Sequence, residues 1–243
     1  MNWKKTRKIL RVIWIVFGVG FLVWMFISMN VRGIDGNILE SNSSIHVERQ
    51  DDYTSFTPAS SYQKVFIFYP GALVHPDAYA PLCRKIAENG YQTIIINMPW
   101  RMATKGYNKI RGMGMLSDST KNYILAGHSQ GGKMAAQFVY ENPGLIDRLI
   151  LLGTTHPRDI NLSSSEIPVL KLYGSNDGVA SAGKVLANKS NLPSTAKYIE
   201  IEGGNHSQFG YYGFQLGDSR ADITREEQQS IILEEILHFI ESE

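Results

Sequence analysis

The chain has 243 residues, of which 43% are hydrophobic and 19% charged, and this is enough material for one domain with a sizeable core. The 22 glycines, 9 prolines and 11% aromatic residues exclude collagen-like, coiled-coil and disordered low-complexity proteins. With 24 basic against 23 acidic side chains, we expect no nucleic-acid partner of the kind that binds a basic patch, and the single cysteine, Cys83, cannot form an internal disulfide.

The basic charge is concentrated before an apolar segment near the N-terminus. Residues 1–30 contain five basic and no acidic side chains, so the remainder has 19 basic against 23 acidic ones. Residues 12–29 carry no charge, and with Ile9 and Leu10 they reach the length of a membrane-spanning helix. We predict a short cytoplasmic basic segment at 1–8, a transmembrane signal-anchor helix at 9–30 and a polar, turn-rich linker at 31–44.

Basic residues directly before a span predict an N-terminus in the cytoplasm and a following domain outside, anchored in the cell membrane by a single pass. A cleaved signal peptide is the alternative, but it has a shorter apolar region and a small-residue cleavage site, which residues 28–31 do not offer. A buried core helix is disfavoured because the segment has no polar face. Whether the segment is cleaved stays open.

After residue 44, short apolar runs alternate with segments of helical periodicity, which indicates the α/β class, with a mostly parallel sheet and helices on both faces. The domain is predicted to span residues 45–243. We predict strands at residues 64–69, 92–97, 122–126, 148–152, 169–173 and 198–201, and helices at 77–89, 131–141, 181–188 and 224–243. The last helix begins with a capping-box pattern, Thr224 to Glu227. Weaker antiparallel strands at 45–47 and 53–56 are predicted at the sheet edge.

The sequence GHSQGG at 127–132 lies between a predicted strand and a predicted helix. A serine at the apex of such a turn is held in a strained conformation, and small residues two positions before and after it avoid collisions. Gly127 and Gly131 meet this requirement, and open α/β sheets have their sites at the carboxyl ends of the strands. Ser129 is therefore the candidate nucleophile, and the neighbouring His128 is expected to pack rather than act as a base.

A serine hydroxyl needs a base to take its proton and a carboxylate to orient that base. Asp177 follows the next-to-last predicted strand, and His206 follows the last one. Because the carboxyl ends of parallel strands meet at one edge, we expect both to converge with Ser129 as a Ser-His-Asp triad in the chain order Ser, Asp, His. His156 with Asp159, after strand 148–152, is the rival base and acid.

A tetrahedral intermediate also needs hydrogen-bond donors for its oxyanion. We expect these to be the N–H of Gln130 and that of Ala72, or alternatively of Leu73, in the loop after strand 64–69. Residues 99–120 and 207–223 are predicted to form the pocket walls. The candidates for substrate binding are Leu73, Trp100, Phe209 and Tyr211, with Tyr212 and Phe214 as further apolar lining. No histidine or cysteine spacing proposes a metal site.

Five stretches carry a resemblance to a known family: YPGALVHPDAYAPL at 69–82, INMPWRMA at 96–103, GHSQGG at 127–132, YGSNDG at 173–178 and GGNHSQFGYYG at 203–213. Across residues 45–243 the chain resembles the α/β-hydrolase fold family, in particular small bacterial members that lack a large cap domain and often have a membrane segment. The resemblance implies hydrolysis of a carboxylic ester, or less often an amide or thioester, through an acyl-serine intermediate without a cofactor. It assigns nucleophile, base and acid to Ser129, His206 and Asp177.

The first hypothesis is therefore a membrane-tethered serine hydrolase that cleaves a small or lipid-like acyl ester. A catalytically silent binding or scaffold module of the same fold is the alternative, and it predicts that the three side chains fail to converge. Acyl transfer to an envelope alcohol would use the same residues. A haloalkane dehalogenase is disfavoured because it needs a carboxylate where Ser129 stands. The sequence leaves the oligomeric state open.

Overall fold

A computed structural model describes residues 3–242. Residues 1, 2 and 243, which belong to the predicted basic segment and the predicted last helix, lie outside the described residues. The strands are β1 (Ile45–Arg49), β2 (Tyr53–Pro58), β3 (Lys64–Tyr69), β4 (Gln92–Ile96), β5 (Asn122–His128), β6 (Arg148–Leu152), β7 (Val169–Gly174) and β8 (Lys197–Ile201). The α-helices are α1 (Trp3–Ser28), α2 (Ala80–Glu88), α3 (Lys109–Gly112), α4 (Gln130–Glu141), α5 (Ala182–Leu186) and α6 (Arg225–Glu241).

The strands form one sheet in the order β1-β2-β4-β3-β5-β6-β7-β8. Strands β3 to β8 are parallel, whereas β1 and β2 form an antiparallel pair at one edge, with Val47 opposite Phe56, and β2 pairs antiparallel with β4. The predicted edge strands are thereby confirmed. The parallel order brings the carboxyl ends of β3, β5, β6, β7 and β8 to one rim of the sheet, where parallel α/β folds have their sites.

Successive side chains of the central strands pack into two separate cores. On β3, Phe66 and Phe68 point into the core covered by α2 and α6, whereas Val65, Ile67 and Tyr69 point into the core covered by α4. All five are almost fully buried, as is expected of a strand covered on both faces. The predicted α/β class with helices on both faces is confirmed.

The N-terminal end and the buried face of α6 follow from its sequence. Thr224 Oγ1 accepts a hydrogen bond from the Glu227 N–H at 3.2 Å, and the Glu227 carboxylate accepts one from the Thr224 N–H at 2.7 Å. This reciprocal pair satisfies two N–H groups that would otherwise lack partners at the first turn. Ile232, Ile236 and Ile240 recur at helical spacing on the buried face, so the helix is anchored on the sheet.

Among residues 3–242, one helix, α1, is long and apolar enough to cross a membrane. Its C-terminal end is held on the domain. Ser28 Oγ donates to the Phe214 carbonyl at 2.6 Å, and the Gly213 N–H donates to the Ser28 carbonyl at 2.7 Å. A Cβ at position 213 would meet Ser28 Oγ at 2.7 Å, so this approach requires glycine. The His75 N–H also donates to the Met29 carbonyl at 2.9 Å.

The segment predicted as a linker, residues 31–44, lies against the domain. Val31 pairs with Tyr212 in an isolated β-bridge, and residues 36–39 form a short 3₁₀ turn. The buried Arg84 guanidinium donates to the carbonyls of Asn37, Ile38 and Glu40 at 3.3, 2.9 and 2.7 Å. A charged donor that satisfies three carbonyls holds the segment in place.

Candidate active site

Ser129 occupies a sharp turn between β5 and α4. Its backbone angles are φ 53° and ψ −117°, a conformation that costs a non-glycine residue free energy and marks functional turns. A Cβ at Gly127 would overlap the backbone of Gly131, and a Cβ at Gly131 would overlap the Tyr69 carbonyl oxygen. Gly127 is therefore required by the tightness of the turn itself and Gly131 by the close approach of the turn to β3, as the GHSQGG motif predicts.

The structure brings Asp177 and His206 together. His206 Nδ1 lies 2.8 Å from Asp177 Oδ2, and both side chains are buried. Asp177 Oδ1 accepts from the N–H groups of Val179 and Ala180 at 2.9 and 2.6 Å, which orients the carboxylate. His206 Nε2 has no hydrogen-bond partner within residues 3–242. The imidazole therefore has one nitrogen held by a carboxylate and the other unoccupied.

Ser129 and His206 line the same cavity of about 380 Å³, here named the serine cleft. Within the described part of the chain no hydrogen bond joins the serine hydroxyl to the imidazole. Such catalytic hydrogen bonds are commonly long before substrate binds and shorten in the complex. The arrangement thus places Ser129 and His206 at one cleft.

Asp218, which no sequence pattern singles out, connects the loop that carries Asp177 to the segment that carries His206. Its Oδ1 accepts from the N–H groups of His206 and Gly178 at 3.1 and 3.2 Å. Its Oδ2 accepts from the N–H and hydroxyl of Ser207 at 2.8 and 2.6 Å. Asp218 lies 12 residues from His206 but 40 residues from Gly178, so only the folded chain reveals that it joins the two loops.

His128 belongs to a buried cluster behind the cleft. Its ring centroid lies 4.6 Å from that of His206, and its Nδ1 lies 2.8 Å from the Tyr79 hydroxyl. That hydroxyl accepts from the Gly71 N–H at 3.1 Å, so its own proton is donated to His128 Nδ1. Burial, with the nearby His206, lowers the pKa of His128 well below its usual value of 6.5, which keeps the ring neutral and able to accept. Tyr79, also absent from the sequence-based predictions, thereby supports the loop after β3.

In the loop after β3, the N–H of Ala72 is a backbone donor without an acceptor in the described part of the chain. The Leu73 N–H donates to the Arg101 carbonyl at 2.7 Å, which removes Leu73 as the alternative oxyanion donor. Neither the Ala72 N–H nor the Gln130 N–H has an acceptor within residues 3–242. Gln130 is the first residue of α4, where N–H groups lack helical partners and the helix dipole favours negative charge.

The serine cleft has a basic wall. The wall contains the cations of Lys133, Arg158 and Lys184 beside the ring of His156, and no Asp or Glu from residues 3–242. Lys133 Nζ forms an ion pair with Asp159 at 3.4 Å, but the Asp159 side chain is 72% exposed and so offsets little of the basic charge. The cleft is thus electropositive around a serine.

The rival pair, His156 and Asp159, is not joined by a hydrogen bond in the described part of the chain. Arg158 Nη2 instead lies 3.0 Å from His156 Nε2. Burial, followed by the positive charges of Lys133 and Arg158, lowers the pKa of His156 to about 4. A histidine that binds protons so weakly and has no carboxylate partner is poorly suited to act as the base.

The predicted substrate-binding residues divide into two groups. Leu73 and Trp100 line a second cavity of about 310 Å³ together with Met25, Phe26, Met29 and Arg101, here named the helix-end cavity. Phe209 is fully buried, stacked on His128, and Tyr211 is buried beneath the Arg225 guanidinium, so neither lines the serine cleft. Tyr212 is also fully buried, whereas Phe214, which lies beside the C-terminal end of α1, is 45% exposed. For Phe209, Tyr211 and Tyr212 this corrects the predicted lining role, because aromatic side chains beside a site serve equally well as core.

A comparison with protein-family models identifies the family to which this fold belongs. The model described as "Alpha/beta hydrolase family" matches residues 65–230, about two thirds of the chain. The chain belongs to the alpha/beta hydrolase family. The match covers the strands that carry Ser129, Asp177 and His206. A search of curated proteins found no match to this hydrolase.

Solved structures share the fold of this alpha/beta hydrolase at low sequence identity. Est1E from Butyrivibrio proteoclasticus is 16% identical, with a TM-score of 0.58 over 82% of this chain and 100% of that one. A predicted CIB-like hydrolase from Thermoplasma acidophilum is 12% identical, with a TM-score of 0.61 over 80% and 99% of the chains. A thermophilic esterase from Thermogutta terrifontis, Est2, is 15% identical, with a TM-score of 0.56 over 82% and 93%. These likenesses extend over nearly the whole length of each compared protein.

Proposed function

We propose that the protein is a serine hydrolase that cleaves a carboxylic ester through an acyl-serine intermediate, using a triad of Ser129, His206 and Asp177. The observation that carries the proposal is the buried hydrogen bond between Asp177 and His206 in a cleft shared with a serine in a strained turn. Solved structures with this fold include the Thermogutta terrifontis esterase and an alpha-beta serine hydrolase homologue from Coxiella burnetii, which supports the reaction class.

In the proposed reaction His206 Nε2 takes the proton of Ser129 Oγ while that oxygen adds to the acyl carbon of the ester. The oxyanion accepts hydrogen bonds from the N–H groups of Gln130 and Ala72. Asp177 stabilises the imidazolium, which then protonates the departing alcohol. A water molecule, deprotonated by His206, adds to the acyl-serine, and the carboxylic acid leaves with regeneration of the hydroxyl.

Labelling of the full-length protein with a fluorophosphonate tests the proposal. Thermogutta terrifontis esterase 2 has been solved phosphorylated by paraoxon, which supports an organophosphorus probe for this fold. We expect labelling that is lost in Ser129→Ala and retained in Ser60→Ala, a matched change at an exposed serine. Ester hydrolysis should fall at least about 10³-fold in Ser129→Ala. An unlabelled wild-type protein, or equal labelling of Ser129→Ala, would favour the silent binding module.

We infer further that α1 anchors the protein with its N-terminus in the cytoplasm and the domain on the outer side. Support comes from the five basic residues that precede an otherwise uncharged span. Protease added to intact cells should then remove the domain and spare a tag placed at the N-terminus. Loss of that tag from the mature protein would instead indicate cleavage of the segment.

A further inference from the structure

We propose that the substrate is an anionic ester lipid, whose acyl chain enters the helix-end cavity from the membrane while its charged group binds in the serine cleft. The inference rests on the proposed function, since it assigns a substrate class to Ser129. It also assigns α1 a second role: the helix supplies part of the substrate site.

The helix-end cavity is built by the membrane helix and the domain together. Met25, Phe26 and Met29 form the wall from α1 and the turn after it, and the domain contributes Leu73, Trp100 and Arg101. The Arg101 guanidinium donates to Asn30 Oδ1 at 3.0 Å and lies 5.2 Å from the centroid of the Phe26 ring. The remaining lining side chains are apolar, which suits a hydrocarbon chain.

The position of the cavity along α1 places it at the membrane surface. A span of roughly 20 residues, counted from Val12 after the last basic residue Arg11, ends near Val31. Met25, Phe26 and Met29 therefore lie in the last third of the span, in the leaflet on the domain side. At this depth the acyl chains of that leaflet meet their polar groups, so lipid reaches the cavity without leaving the bilayer.

The domain surface around the end of α1 is unusually apolar. Trp100 is 87% exposed, Leu216 is 63% exposed, and Leu73 and Phe214 are also exposed. The Phe214 carbonyl accepts the Ser28 hydroxyl, which places this surface directly beside the helix end. Exposed tryptophan and aliphatic side chains next to a membrane span are stabilised by the lipid interface. This surface therefore faces lipid rather than water.

The helix-end cavity lies close to the nucleophile. Pro70 packs against Gly131, two residues after Ser129, because a Cβ at Gly131 would lie 2.5 Å from the Pro70 carbonyl oxygen. Leu73 follows Pro70 by three residues, which span at most about 11 Å. The unoccupied Ala72 N–H lies between them in the chain. An acyl chain that passes Leu73 thus brings its ester carbonyl toward the turn that carries Ser129.

The charge of the serine cleft selects the other end of the substrate. Arg158 and Lys184 line the cleft with exposed side chains, and Lys133 lies beside them. Guanidinium and ammonium groups form charge-assisted hydrogen bonds to phosphate and carboxylate oxygens, and such bonds are about twice as strong as neutral ones. A lipid with a net negative charge therefore complements the cleft, whereas a zwitterionic lipid adds a cation to a basic wall.

The first experiment compares lipids with identical acyl chains in full-length protein reconstituted in mixed micelles. We expect kcat/KM for phosphatidylglycerol to exceed that for phosphatidylcholine about tenfold, since both lipids offer a phosphate but only phosphatidylcholine brings a cation against the basic wall. The double variant Arg158→Gln, Lys184→Gln should abolish this preference. Lys85→Gln, a matched change at an exposed lysine on α2, should preserve it. Equal rates on both lipids, or a preference that survives the double variant, would overturn the assignment of the charged group.

The second experiment tests the acyl-chain site by p-nitrophenyl esters of increasing chain length. Met25→Trp reduces the cavity volume and should lower the ratio of long-chain to acetate hydrolysis about tenfold. Ile27→Trp, on the opposite side of α1 and exposed, should leave that ratio unchanged. Trp100→Ala provides a second test that does not depend on the folding of Met25→Trp, because Trp100 is exposed and lies outside the membrane helix. It should lower hydrolysis of vesicle lipid. An unchanged ratio in folded Met25→Trp, or unchanged vesicle hydrolysis in Trp100→Ala, would refute the chain site.

Fluorophosphonate labelling separates this inference from the function on which it rests. A protein that is labelled at Ser129 and hydrolyses the acetate ester, but cleaves neither phospholipid, would keep the proposed function and refute the lipid substrate. A protein that is not labelled would refute the proposed function itself.

Discussion

Asp218 offers the sharpest test of how the candidate site is held together. Its carboxylate accepts hydrogen bonds from the N–H groups of His206 and Gly178, and thus connects His206 to the residue that follows Asp177. It also accepts the N–H and hydroxyl of Ser207. Asp218→Ala removes these acceptors without altering Ser129, His206 or Asp177. The two loops then lose a direct connection.

The expected loss of stability follows from the buried donors. His206 and Ser207 are both buried, so each of their N–H groups loses a partner that water replaces poorly. An unsatisfied buried donor costs about 1–3 kcal/mol, which gives about 2–6 kcal/mol for the two. A displacement of the imidazole by about 1 Å lowers kcat about 100-fold. KM should change little, because Asp218 lines neither cavity.

Urea unfolding and steady-state hydrolysis of p-nitrophenyl acetate measure the two effects. Asp218→Asn retains one carbonyl oxygen as an acceptor and should give an intermediate loss of both stability and kcat. Asp222→Asn is the matched control, since within residues 3–242 this exposed carboxylate accepts a side-chain hydrogen bond from Asn176 Nδ2 alone. If Asp218→Ala keeps wild-type stability and wild-type kcat, the proposed link between the two loops does not exist.

Three further changes test the same region. Gly131→Ala places a methyl group onto a β3 carbonyl and should destabilise the fold by at least about 1–3 kcal/mol in thermal denaturation, whereas Gly183→Ala, with open space around it, should not. Tyr79→Phe leaves the buried Gly71 N–H without an acceptor and should cost about 1–3 kcal/mol in urea unfolding, and an unchanged midpoint would contradict the contact. His128 stays neutral in the folded protein but binds a proton in the unfolded chain below pH 6.5. The free energy of unfolding should therefore fall with falling pH by up to about 1.4 kcal/mol per pH unit below 6.5. Urea unfolding at a series of pH values measures this, and a flat profile from pH 7.5 to 5.5 would refute it.

The sheet could be predicted from the sequence because its strands are buried on both faces. Each parallel strand is a short apolar run bounded by polar or turn residues, and β3 and β6 have the predicted bounds. The elbow was also predictable, because the spacing of Gly127 and Gly131 around Ser129 marks a turn in which larger side chains would collide. Placement of Asp177 and His206 at one rim follows from strand order, which the alternation of elements implies.

Contacts between distant segments could not be predicted in this way. Tyr79 contacts His128, 49 residues away, and Asp218 contacts Gly178, 40 residues away, and no local pattern marks such partners. Phe209 was expected at the cleft because aromatic residues near a site suit lining and core equally, and burial decides between them. The end of α1 has the composition of a lipid-facing helix, and this conceals that Ser28 and Met29 are covered by the domain.

The hydrogen bonds between Ser28 and residues 213–214 have a geometric consequence. Because the helix end is fastened to the domain, the membrane anchor proposed above would set the height of the Ser129 hydroxyl over the bilayer by the length of α1. One added turn between Arg11 and Met25 would raise it by about 5.4 Å. A free tether of the same length would tolerate that insertion, whereas here it would move Ser129 away from the plane in which the proposed substrate presents its ester.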